Sequence, residues 1–309
     1  MIDLRLTFAG MLFPNPFMLA SAPPTRTAEM IKRAFAAGWG GAVTKTIVLD
    51  PTSDFQPRLQ PLRHQNRMIG MENVELLSRL SVEEWRREIA DIKASYPERP
   101  LWASIMAYPV KKDWQRLTQM IEETGADALE LNVSCPHGMP TRGMGAFIGQ
   151  DATMTGDVVS WVKEVTKIPV VVKLTPNVTD IAFVAQAAKD NGADAIAVIN
   201  TVSCLVGVDL DTLDPLPNVG GFSTYGGYSG PGVKPIALRC VAQVAQATKL
   251  PVSGLGGVST WEDAVEFIAL GAGTVQVGTT AMWKGFKIIE DLTQGLSNYL
   301  EQKGFTSLE

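Results

Sequence analysis

One pattern recurs along this chain. A segment with helical periodicity ends at a glycine, and a short apolar run then closes on a polar or small residue. The unit is read at 38–45, ending Thr44-Lys45; at 125–132, ending Leu131-Asn132; at 192–200, ending Ile199-Asn200; and at 271–278, ending Val277-Gly278. Glycine just past a helix adopts the left-handed conformation that stops it. An apolar run too short for a helix reads as a strand covered on both faces, as in a parallel sheet. Further runs at 17–20, 101–106, 170–174 and 252–255 bring the strands to eight.

The segments between them predict helices over 27–37, 81–95, 111–124, 154–166, 179–191, 235–248, 260–270 and 284–301. Ser81-x-x-Glu84 and Ser259-x-x-Glu262 read as capping boxes that start two of them. Eight strand–helix alternations without a low-complexity linker predict one α/β domain over 1–309, a single (β/α)8 TIM barrel. An open doubly wound sheet is the alternative. Residues 1–16, with Ala9-Gly10 and Pro14-Asn15-Pro16, predict an N-terminal hairpin capping the barrel bottom. Two long βα loops, 46–80 and 202–234, are expected at the C-terminal face. Loops of such length are usually functional, and 202–234 is read as an active-site insertion.

Composition acts mainly by exclusion. A net charge of −5, with no block of Lys and Arg, offers no footprint for nucleic acid. No run of about 18 apolar residues is present, so no membrane span is expected. The N-terminus MIDLRLTFAG lacks the charged and apolar regions of a signal peptide; a cytoplasmic protein is expected. Cys135, Cys204 and Cys240 fit neither a disulfide framework nor a metal site. Without a C-x-x-C run, no iron–sulfur cluster is expected in this chain.

In a barrel, the C-terminal strand ends read as the active site. Here they carry Ala20-Ser21, Lys45-Thr46, Asn132-Val133-Ser134-Cys135, Lys173-Leu174-Thr175, Asn200-Thr201, Gly256-Gly257 and Gly278-Thr279. A barrel built only to pack has no reason to end strands in Lys and Asn. Gly256-Gly257 and Gly278-Thr279 would offer bare backbone N–H groups to a phosphate near a helix N-terminus, with Ser229-Gly230 of the long loop joining them. The plainer reading is ordinary tight βα turns.

Asn132-Val133-Ser134-Cys135-Pro136-His137, Lys173-Leu174-Thr175-Pro176-Asn177-Val178 and Asn200-Thr201-Val202 resemble the FMN domain of dihydropyrimidine dehydrogenases. These are sisters of the class 1 dihydroorotate dehydrogenases, and the resemblance runs along nearly the whole chain. Both groups share the Asn-x-Ser-Cys-Pro core. His137, Gly138-Met139, Arg142-Gly143-Met144-Gly145 and Asn73-Val74-Glu75-Leu76-Leu77-Ser78 favour the dihydropyrimidine branch. Dihydroorotate dehydrogenases usually carry Asn-x-Met-Gly-Leu where this chain has Arg67-Met68-Ile69-Gly70-Met71.

The resemblance implies FMN and reversible reduction of the 5,6 double bond of uracil or thymine. Flavin N5 would pass a hydride to C6 and an acid would protonate C5. Cys135 matches the acid, and a thiol with an ordinary pKa of ~8.5 can serve near neutral pH. Ser134 and His137 are carried over with it. Asn73, Glu75, Asn132, Asn200 and Thr201 match pyrimidine-binding positions; an amide side chain suits alternating N–H and C=O edges. Lys45 and Lys173 match flavin-contacting lysines, where a cation favours the reduced flavin. Ala20, Ser21, Thr46, Asn132 and Asn200 complete the flavin contacts, with Ser229, Gly230, Gly256, Gly257, Gly278 and Thr279 at its phosphate. Without the resemblance, Cys135 is a small buried hydrophobe, the asparagines are turn or strand-end residues, and His137 is a loop residue bonded to backbone.

The iron–sulfur and NADPH domains of animal members, and the ferredoxin-like tail of many bacterial ones, are not read here. Either a partner subunit linked to NAD(P)H carries the electrons, or this chain ends short of such a tail; a homodimer is expected. Dihydroorotate dehydrogenase is the runner-up, sharing Lys45, Asn132, Cys135, Lys173 and Asn200-Thr201. A tRNA-reducing dihydrouridine synthase would need a basic surface. A non-catalytic flavin-binding subunit would not need Cys135.

Overall fold

The computed structural model describes residues 2–51, 57–74, 77–136, 143–218 and 221–308. The chain opens with an antiparallel hairpin of β1 (Leu6–Phe8) and β2 (Met11–Phe13), turned at Ala9-Gly10. β3 (Phe17–Leu19), α1 (Ala28–Ala37) and β4 (Gly41–Val43) follow. β5 (Arg58–His64) and β6 (Arg67–Val74) form a second antiparallel hairpin. Next come α2 (Val82–Ser95), β7 (Leu101–Ile105), α3 (Lys111–Glu122) and β8 (Ala128–Asn132). α4 (Ala146–Gly149) and α5 (Ala152–Lys163) lead to β9 (Val170–Leu174), α6 (Ile181–Asp190) and β10 (Ala195–Val198). An excursion holds β11 (Val202–Cys204), β12 (Gly207–Val208), β13 (Pro215–Leu216) and β14 (Gly226–Ser229). α7 (Lys234–Thr248), β15 (Val252–Leu255), α8 (Trp261–Ala269), β16 (Ala272–Val277), α9 (Thr279–Lys284) and α10 (Ile288–Gln302) complete the chain.

β3, β4, β7, β8, β9, β10, β15 and β16 pair in parallel in that order, and β16 pairs back with β3. The expected (β/α)8 barrel is therefore closed, and closure leaves no sheet edge to protect. Strand alternation then sorts the side chains. On β8, Leu129 and Leu131 join the large apolar layer under the helices, while Ala128, Glu130 and Asn132 turn into the barrel.

The barrel interior is layered. At the bottom, the N-terminal hairpin supplies a plug: Phe8 stacks on Trp102 at 5.6 Å, and Phe13 meets the same ring edge-on at 6.2 Å. Above the plug lies a polar layer. Glu130 Oε1 faces Lys173 Nζ at 3.4 Å, and Gln276 Nε2 donates to Glu130 Oε2 at 3.2 Å and to Ser253 Oγ at 3.1 Å. Above that layer the barrel opens into a cavity.

Several sequence expectations are corrected. The two long loops are not simply irregular. β11, β14, β6 and β5 pair in that order into a four-stranded sheet, which joins the 46–80 and 202–234 segments. The turn Gln65-Asn66 at positive φ folds the β5–β6 hairpin. The helix expected over 154–166 starts at Ala152, with Asp151 accepting from Met154 N–H at 2.9 Å. The helix expected over 284–301 is α10, starting at Ile288, and a further short helix, α9, precedes it and ends before Gly285 at φ 78. The cap expected at Ser259 and Glu262 lies one residue later. Thr260 is the N-cap, and Asp263 closes the box by accepting from the Ser259 and Thr260 amides at 2.8 and 3.0 Å. Ser259 Oγ is engaged elsewhere, with Gly257 O and Thr280 Oγ1. Ser81 and Glu84 form their box as expected.

Loss of a capping side chain typically costs ~1 kcal/mol. Thr260→Ala should therefore lower stability by about that much in denaturant unfolding, and Glu262→Ala by less than about 0.5 kcal/mol. The reverse order would contradict the cap.

Candidate active site

The cavity sits at the C-terminal strand ends, roofed by the four-stranded sheet through Leu59, Met71, Asn73 and Tyr228. Its volume is about 1040 Å³, open mouth included. Lys45 and Lys173 are the charged residues among its described lining.

The floor is one connected polar network. Ser21 Oγ and Thr46 Oγ1 lie 3.3 Å apart, and Thr46 also meets Ser104 Oγ at 2.9 Å. Asn132 Nδ2 donates to Thr46 Oγ1 at 2.9 Å. Asn132 Oδ1 accepts from Ser134 Oγ at 3.1 Å, and Asn200 Nδ2 donates to Ser134 Oγ at 2.8 Å. Asn200 Oδ1 accepts from the Thr201 amide at 2.8 Å. These side chains come from different strand ends, and each fixes its neighbour's orientation. Amides held in this way present defined donors and acceptors to a ligand.

At one end, glycines let backbone approach closely. Gly230, Gly256 and Gly257 all have positive φ, and a Cβ on Gly257 would lie 2.7 Å from Lys234 N. The loop after β15 thus packs against the N-terminal turn of α7, where anions are favoured. Ser229 Oγ accepts from Thr279 Oγ1 at 2.9 Å, tying β14 to the start of α9. Asn73 Nδ2 donates to Gly227 O at 2.7 Å. β14 therefore touches both the glycine end and the amide end of the cavity.

Cys135 stands on the cavity wall, 5% exposed. Its carbonyl accepts from the Ala146 amide at 3.0 Å, so α4 buttresses the segment after β8. Met106, Met144 and Val48 pack beside it.

Of the residues singled out in sequence, Ala20, Ser21, Lys45, Thr46, Asn73 and Asn132 all line this cavity. So do Cys135, Lys173, Asn200 and Thr201, and, at the glycine end, Ser229, Gly230, Gly256, Gly257, Gly278 and Thr279. Ser134 is fully buried behind Asn132 and Asn200 and does not line the cavity. Glu75 and His137 lie outside the described residues, as does the Gly138–Arg142 part of the motif.

Sequence reading missed Glu130 and Gln276, the buried partners beneath the cavity. Both carry a signal: each is a polar residue inside an apolar strand run, two residues from Asn132 and from Gly278. It also missed Glu72, which is fully buried in the roof and accepts from Val206 N–H at 2.6 Å. Burial, then the charge of and hydrogen bond to Glu72, push the Cys204 thiol up to about 12.

Two buried polar atoms at the cavity, Thr201 Oγ1 and Gln276 Oε1, have no hydrogen-bond partner among the described residues. Buried polar atoms normally have one, so these two point to a ligand.

A closed β/α barrel with a glycine-edged, amide-floored cavity at its C-terminal strand ends has the layout of a barrel enzyme's active site. The profile of the dihydroorotate dehydrogenase family matches residues 3–300, and the chain belongs to that family. It is an oxidoreductase acting on a CH–CH group. It is 41% identical, over 99% of its length and 75% of the relative's, to the chloroplastic dihydropyrimidine dehydrogenase (NADP(+)) of Arabidopsis thaliana. With the NAD-dependent dihydropyrimidine dehydrogenase subunit PreA of Escherichia coli it shares 42%, again over 99% and 75%. The catalytic subunit of dihydroorotate dehydrogenase B (NAD(+)) of Pyrococcus abyssi is 39% identical, over 99% of this chain and 97% of its own. No described helix is long and apolar enough to cross a membrane.

The thiolate is the reactive form of cysteine. Cys204 should therefore resist iodoacetamide in mildly alkaline buffer, and Glu72→Gln should speed its labelling, as followed by mass spectrometry. Labelling at the rate of a free cysteine in the unmutated protein would contradict the Glu72 contact.

Proposed function

We propose that this protein binds FMN and interconverts a neutral pyrimidine, uracil or thymine, with its 5,6-dihydro form. The observation that carries the reading is the neutral polar lining of the cavity's floor and roof. Asn73, Asn132, Asn200 and Thr201 offer neutral donors and acceptors, including the unpartnered Thr201 Oγ1. A pyrimidine ring presents the complementary alternation of N–H and C=O. Identity to the two dihydropyrimidine dehydrogenase relatives, 41% and 42%, supports the same branch.

The residues present fit FMN. At the Gly230 and Gly256-Gly257 edge a Cβ would run into neighbouring chain, with Lys234 N only 2.7 Å from one on Gly257, so bare backbone beside the start of α7 is what this end can offer a phosphate. Gln276 Oε1 awaits a donor, which the imide N–H of an isoalloxazine ring has the chemistry to supply. Bound there, FMN supplies a hydride acceptor and donor. Lys45 and Lys173 would hold positive charge beside it. The asparagines and Thr201 orient the pyrimidine, and the roofing sheet limits access of water. Cys135 holds the second proton, delivering it to C5 during reduction and taking it back in the reverse direction. Electrons would pass onward through a partner subunit, as the word subunit in the names of the Escherichia coli and Pyrococcus abyssi relatives suggests. A homodimer in the cytoplasm completes the proposal.

Dihydroorotate dehydrogenase is the second reading, favoured by the alignment covering 97% of the Pyrococcus abyssi catalytic subunit.

Serine is close to cysteine in shape but a far weaker acid. Cys135→Ser should lower kcat for uracil reduction by roughly 100- to 10,000-fold, with FMN content and uracil affinity little changed. Cys240→Ser should remain active. Turnover of Cys135→Ser near the unmutated rate would remove the proposed acid.

A further inference from the structure

Asn177 is absent from the cavity lining, yet its side chain grips the segment that presents Thr201. It follows β9 in Thr175-Pro176-Asn177. Its Nδ2 donates to Thr201 O at 3.2 Å and to Thr175 Oγ1 at 2.9 Å. Its Oδ1 accepts from Ser203 N–H at 2.8 Å. Its own carbonyl accepts from Gln150 Nε2 at 3.1 Å, which anchors it to the end of α4. One amide thus holds the backbone on both sides of Val202, where the chain leaves the barrel and enters the roofing sheet through β11.

Thr201 depends on this grip. Its Oγ1 has no hydrogen-bond partner among the described residues, so no hydrogen bond of its own fixes where the hydroxyl points. Its backbone is held on one side by Asn200 Oδ1, which accepts the Thr201 amide, and on the other by Asn177 Nδ2. The amide orientation of Asn177 follows from its partners. Oδ1 must face the Ser203 donor and Nδ2 must face the Thr201 acceptor. An aspartate there would keep the first bond and set oxygen against oxygen at the second.

We propose that Asn177 is the positioning residue for the ligand-binding edge at Asn200-Thr201, acting on pyrimidine affinity through the backbone of Thr201. This rests on the pyrimidine reading above. The residue does not line the cavity, so its effect on the ligand falls on binding, through the backbone at Thr201.

The test is a double-mutant cycle on the FMN-loaded protein, with uracil dissociation constants measured by calorimetry. Asn177→Ala and Thr201→Val should each weaken uracil binding by about tenfold, the size of one hydrogen bond. The double mutant should be no weaker than the worse single, because both remove the same contact. Asn177→Asp, nearly unchanged in shape, should weaken binding at least as much as Asn177→Ala while keeping its FMN, which guards against a misfolded alanine variant. If the Asn177 variants bind uracil as the unmutated protein does, or if the two losses multiply, the positioning role is wrong and the pyrimidine reading stands. If the unmutated protein binds neither uracil nor thymine, the pyrimidine reading fails and this inference fails with it.

Discussion

Lys173 and Glu130 meet inside the barrel, 5% and 0% exposed, where little water reaches their charges. A buried pair of this kind seldom adds net stability, and removing either partner leaves the other charge stranded. Its effect here is architectural. The pair and Gln276 form a polar layer that the aromatic plug beneath cannot satisfy, so the strand ends above it must be polar as well. From that layer upward, side chains of Ser21, Thr46, Asn132, Ser134, Asn200 and Thr201 pass hydrogen bonds from strand to strand. Thr201 Oγ1 in this network and Gln276 Oε1 in the layer below find no protein partner among the described residues. Both residues line the cavity.

The barrel was legible because its strands are short, apolar and bounded by glycine, and because alternation on a closed sheet leaves little freedom. Gly38 at φ 114 and Gly192 at φ 97 stand where the repeat expects a helix to stop. The site was legible for the same reason: Lys45, Asn132, Lys173 and Asn200 end apolar strands, and side chains at the strand ends of a barrel converge. The roofing sheet was not legible. β5 is half exposed and interrupted by Pro61, and β14 begins with Gly226-Gly227. Neither has the composition of an isolated strand, and each becomes one only by pairing with β6. Glu72 shows the same limit. In sequence it is a charge beside Asn73, and only the pairing of β6 with β14 turns it away from the cavity and buries it.

The roof also relates the two ends of the cavity. β14 is four residues long. Its Gly227 carbonyl binds Asn73 at the amide end, and its Ser229 binds Thr279 at the glycine end. The relatives named for dihydropyrimidines and for dihydroorotate align along 99% of this chain. In this chain Arg67–Val74 belongs to that roof, and Met71 and Asn73 reach the cavity from it.

The most direct measurement is anaerobic mixing of the FMN-loaded protein with dihydrouracil, dihydrothymine and dihydroorotate in turn, following the visible absorbance of the bound flavin. The account predicts prompt bleaching by dihydrouracil or dihydrothymine and none of comparable rate by dihydroorotate. Bleaching by dihydroorotate alone, or a protein that retains no flavin, would contradict it.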